Sequence, residues 1–104
     1  MLKWILGFLK APIANLVATL KTNRAENIAA IEAVAQGGGT TAEAAVTGFL
    51  ASEAKKIPEI ALFIPLAEPA LLGEVASLVA AGTNTVPELY DAGVAFLEKE
   101  EAAV

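Results

Sequence analysis

The sequence predicts an all-α protein, a small alanine-rich bundle of five to six short helices with an amphipathic N-terminal helix. Three observations carry this. Alanine, the strongest helix former, fills 23 of 104 positions. Apolar residues recur at spacings of three and four, the helical period. Helix start and stop signals repeat along the chain. A length of 104 residues suits a single domain, 1–104, with one core.

The periodicity places helices at about 2–21, 24–36, 41–56, 58–64, 69–81 and 86–101. In the first, the basic amphipathic segment 1–22, Leu2, Ile5, Leu6, Leu9, Ile13, Leu16, Val17 and Leu20 form one stripe about 120° wide on a helical wheel. Lys3, Lys10 and Lys21 share one flank, and Trp4 and Phe8 sit off the stripe on the other side. Pro12 removes one internal hydrogen bond and is expected to kink or divide the helix after Lys10.

The second helix has Asn23 and Glu26 at capping-box spacing and stops at Gly37-Gly38-Gly39, the candidate hinge of the chain. The third starts at a Thr40–Glu43 box, carries the stripe Ala42, Val46, Phe49, Leu50 and Ile57, and ends before Pro58. Residues 60–66 are apolar all round and lie between Pro58 and Pro69, which suits either a buried strand or a buried helical turn. The next helix presents Leu71, Val75, Leu78 and Val79 and stops at Gly82, a residue suited to a left-handed cap. The last opens on a Thr85–Glu88 box with Pro87 in its first turn and presents Val86, Leu89, Gly93, Phe96 and Leu97.

Composition removes whole classes of chemistry. Without cysteine there are no disulfides, zinc-thiolate sites, iron–sulfur clusters or thiol nucleophiles. Without histidine the usual general base and transition-metal ligand are missing. No metal or other cofactor is therefore expected. The carboxylates occur mainly at caps and on polar faces, where solvation and the helix dipole account for them. Glu68 and Glu74 stand apart, isolated in an apolar stretch. Gly37-Gly38-Gly39-Thr40-Thr41 lacks the lysine of a phosphate-binding loop and reads as a connection.

Charge divides the chain. Residues 1–24 carry +4 and no acid, residues 25–104 carry −9, and together they make the net −5. The acidic body and a single arginine, Arg24, disfavour nucleic acid as a partner. The basic head points to anionic lipid or to an acidic face of a second copy.

Apolar residues make up 56 % of the chain and charged residues 18 %, against about 25 % charged in an average domain. One small core does not hide that much apolar surface, so a membrane, a partner or further copies must cover the rest. The longest charge-free run, 75–87, has only thirteen residues, and Glu59, Glu68 and Glu74 interrupt the apolar stretch around it. Lys10 breaks the N-terminal apolar run and no small-x-small cleavage site follows, so no signal peptide is expected.

These features lead to the expectation of a non-enzymatic structural or assembly protein, a homo-oligomer or part of a larger assembly such as a virion or shell, with no small-molecule substrate. Docking is expected through Leu2, Lys3, Trp4, Ile5, Leu6, Leu9, Lys10, Ile13, Leu16, Val17 and Leu20, on a neighbouring subunit or an anionic membrane surface. Its place is then cytoplasmic, peripheral to a membrane or inside a virion-like assembly. Two rivals come from other classes: a membrane-active, holin-like permeabilising protein, and a small enzyme using paired carboxylates.

Overall fold

A computed structural model describes residues 7–38, 40–62, 64–83 and 85–103, the side chains at 64–67 and 103 excepted. Among the described residues all regular structure is helical. The helices are α1 (Lys10–Thr22), α2 (Arg24–Gly37), α3 (Ala42–Lys55), α4 (Pro58–Ala61), α5 (Ile64–Ala80) and α6 (Val86–Ala103). The all-α bundle expected from the periodicity is what forms.

The stripes read from the sequence become the core. Val46 and Leu50 of α3, Leu71 and Val75 of α5, and Val86, Leu89 and Phe96 of α6 are buried, with Phe49, Ile57, Leu78, Val79 and Leu97 packed around them. The last helix, α6, is central and touches α1, α2, α3 and α5. Gly93 of α6 makes this closeness possible: a Cβ there would overlap Leu50 Cδ1 and lie 3.8 Å from Leu71 Cδ1.

Several boundaries differ from expectation for identifiable reasons. The break near the N-terminus falls before Lys10, with Phe8 and Leu9 in a turn. Pro12 then sits in the first turn of α1, where its missing N–H costs nothing, so it starts the helix instead of kinking it. Ile60–Ala61 belongs to the helical turn α4, and residues 64–66 open α5, which excludes a strand there. Pro69 does not start a helix; α5 runs through it from Ile64, and its ring removes the one ladder bond that an N–H there would give to the carbonyl of residue 65. Ile57 is extended at φ −99°, ψ 109°, as the residue before a proline prefers.

Caps show the same mixture. Gly82 has φ +104°, and Thr83 N–H to Leu78 O (2.8 Å) with Gly82 N–H to Val79 O (3.0 Å) completes the double hydrogen bond that closes α5. The α3 cap is Thr41 and not Thr40: its Oγ1 accepts from the Ala44 N–H at 3.1 Å, so the carboxylate of Glu43 is one residue too early for the box. Asn23 makes no side-chain cap on α2. The glycine hinge also differs: Gly37 is the last residue of α2, and Gly38 has φ −117°, a conformation open to any residue.

Candidate functional site

The N-terminal helix is where sequence and structure meet most closely. Leu2, Lys3, Trp4, Ile5 and Leu6 lie outside the described residues. Leu9, Ile13, Leu16, Val17 and Leu20 are buried, and their stripe faces the protein's own core, chiefly α6. Lys10 is exposed. The described half of the expected docking face is therefore occupied from within.

The basic head is partly used internally too. Lys21 Nζ lies 3.1 Å from Glu98 Oε2. Arg24 donates two parallel hydrogen bonds to Asp91, Nε to Oδ1 at 2.8 Å and Nη2 to Oδ2 at 2.9 Å, the fork geometry in which arginine binds carboxylate best. The carboxylate holds the Arg24 guanidinium above its ordinary pKa, and the hydrogen bonds from Arg24 hold Asp91 below its own. The charge division of the sequence is thus, in part, a contact between the first and last thirds of one chain.

Beside these pairs lies Tyr90, fully buried. Its hydroxyl donates to the Leu20 carbonyl at 2.6 Å and accepts from Asn27 Nδ2 at 3.0 Å, so one phenol ties α1, α2 and α6 together. Burial raises its pKa, against the lowering effect of the Asn27 hydrogen bond. Its ring meets Phe49 at 6.4 Å between centroids, tilted by 47°. Sequence reasoning passed over Tyr90. The signal was present: with Val86, Leu89, Gly93 and Val94 it completes one apolar stripe on α6.

A second surface feature lies between α2 and α3. An open groove of about 310 Å³ is lined by Ala30, Ile31, Val34, Thr40, Ala44, Ala45, Gly48, Phe49 and Ser52. No lining side chain is charged. Small residues form its walls, Val34 stands at its rim 57 % exposed, and a Cβ at Gly48 would meet nothing within 4 Å. Loss of charge with retained apolar surface distinguishes the centre of an interface from ordinary surface.

The carboxylates singled out earlier do not come together. Glu74 is exposed and Glu68 is half-buried on α5, where solvent accounts for both. Among the described residues no group of three or more acidic side chains is gathered as a metal site needs. Nor is any helix among them long and apolar enough to cross a membrane. Set against known proteins, the chain matches no family model, no curated sequence and no solved structure.

Proposed function

We propose that the protein is a small non-enzymatic assembly subunit that associates with copies of itself through the α2–α3 face. The observation that carries this is the uncharged groove with Val34 beside it. A two-fold contact places the same patch on both partners, so each Val34 meets the small-residue groove of the other. Net charge −5 makes copies repel, and a face without charge is where they approach at least electrostatic cost. The buried stripe of α1 makes this face, and not the N-terminal helix, the better candidate among the described residues.

Light scattering across a dilution series tests the proposal. Association should grow with concentration and should be lost in Val34→Lys and in Gly48→Lys, whose new side chains enter solvent or the groove without disturbing the core. A chain that stays monomeric at high concentration, or one whose association ignores both substitutions, refutes it. Flotation with anionic vesicles, if it recovers the protein without self-association, favours membrane docking instead.

A further inference from the structure

We infer that α1 is an exchangeable strap: it leaves α6 of its own chain, continues α2 as one straight helix, and docks on α6 of a second copy. The inference does not depend on the α2–α3 groove, which lies on other residues.

The connection is unusually short. Helices in bundles are generally joined by two to eight residues, whereas Asn23 alone separates α1 from α2. Short connections under constraint invite exchange of the segment they join. At φ −99° and ψ 21°, Asn23 departs from helical geometry mainly in ψ, and this one residue carries the bend. Its N–H donates to the Thr19 carbonyl at 3.0 Å and its carbonyl accepts from the Asn27 N–H at 2.9 Å, both at the four-residue spacing of an α-helix. A helical ladder thus enters and leaves the junction.

The bonds from Arg24, Ala25 and Glu26 that would carry the ladder across the junction are not made, and the first of these interruptions comes from elsewhere in the chain. In a straight helix the Leu20 carbonyl takes the Arg24 N–H; here it takes the Tyr90 hydroxyl. A side chain inserted into the ladder is a recognised cause of a sharp bend. The wedge belongs to α6, so it departs when α1 departs, and the Leu20 carbonyl is then free to accept from Arg24. The merged helix, Lys10–Gly37, spans roughly 42 Å at 1.5 Å per residue.

The detached stripe of Leu9, Ile13, Leu16, Val17 and Leu20 needs cover, and α6 of a second copy presents the surface it has just left. The Lys21–Glu98 pair re-forms between chains, Arg24–Asp91 and Asn27–Tyr90 stay within each chain, and the Leu20 carbonyl exchanges the Tyr90 hydroxyl for the Arg24 N–H. Two such exchanges close a two-fold dimer and leave no open edge.

Because the chain has no cysteine, a mixing experiment reads the exchange directly. Lys21→Cys and Glu98→Cys proteins, made separately, are incubated together at high concentration, diluted and treated with a short bismaleimide. Exchange places residue 21 of one chain against residue 98 of the other, so a covalent dimer of the two variants should appear and should grow with incubation concentration. Asn23→Ala, which favours the straight helix, should raise its yield several-fold, and two glycines inserted after Asn23 should abolish it. The whole experiment is repeated in a Gly48→Lys background, where groove association is blocked. Exchange predicts that the mixed dimer persists there. No mixed dimer at any concentration, with Asn23→Ala equally negative, overturns the inference, and so does a dimer that vanishes with Gly48→Lys.

Discussion

Tyr90→Phe removes one oxygen atom from the point where three helices meet. The ring, its burial and its contact with Phe49 are retained, so the loss is confined to two hydrogen bonds. The two are not equal. Asn27 is half-buried, and water can replace the phenol at its amide. Leu20 is only 1 % exposed, so its carbonyl loses a 2.6 Å donor in a place water does not reach. An unsatisfied buried acceptor costs about 1–3 kcal/mol, and partial recovery of the Arg24 N–H holds the expected loss near 2 kcal/mol. That is a large fraction of the roughly 5–15 kcal/mol that stabilises a domain. At about 4–8 °C per kcal/mol for a chain of this size, Tm should fall by about 8–16 °C. Circular dichroism melts and urea titrations measure it, with an unchanged urea slope showing that the unfolded state is unaltered. Asn27→Ala should cost less than half as much. A Tyr90→Phe protein within about 0.5 kcal/mol of the parent would show that the Leu20 carbonyl is satisfied without the phenol, and the wedge would no longer account for the bend between α1 and α2.

Three glycines should respond in three ways. Gly93→Ala drives a methyl into Leu50 and should destabilise by about 1–2 kcal/mol, because overpacking exceeds the roughly 1 kcal/mol gained in helix propensity. Gly37→Ala, in the last turn of α2 with open space around it, should stabilise by about 0.4–1 kcal/mol in the same melts. Gly82→Ala forces a side chain into the left-handed region at φ +104° and should cost about 1–2 kcal/mol. Acid and alkali should act through different residues. Asp91 titrates below its ordinary value in the folded state, so its contribution is present above that value and lost as pH falls through the depressed one. Asp91→Asn should flatten that acid limb in urea titrations at stepped pH. Tyr90 titrates above 10.0 in the folded state, so its contribution is complete below pH 10 and fades as pH rises through the raised value, a limb that Tyr90→Phe should remove.

The helices were legible because their causes are local. Stripes such as Leu71, Val75, Leu78 and Val79 repeat within one or two turns, and a Gly82 stop needs only a residue without Cβ where the backbone turns left-handed. Boundaries were less legible where two local solutions compete. Thr40 and Thr41 are both competent caps, and only the folded chain shows that it is Thr41 whose hydroxyl the Ala44 N–H reaches. Pro69 reads as a helix start, yet α5, which packs on α3 and α6, runs through it.

The sequence by itself determined the helical class, the faces that form the core, and the separation of a basic head from an acidic body. All of these depend on residue type and on spacings of a few residues. Only the tertiary structure decided that Lys21 and Arg24 answer to Glu98 and Asp91, that the stripe of α1 is covered by α6, and that the Tyr90 hydroxyl takes the Leu20 carbonyl. These residue pairs lie 67 to 77 positions apart. No local pattern specifies such a pairing, because it is selected by how well whole helices pack, and a hydrogen bond forms only between the groups that packing has already brought together.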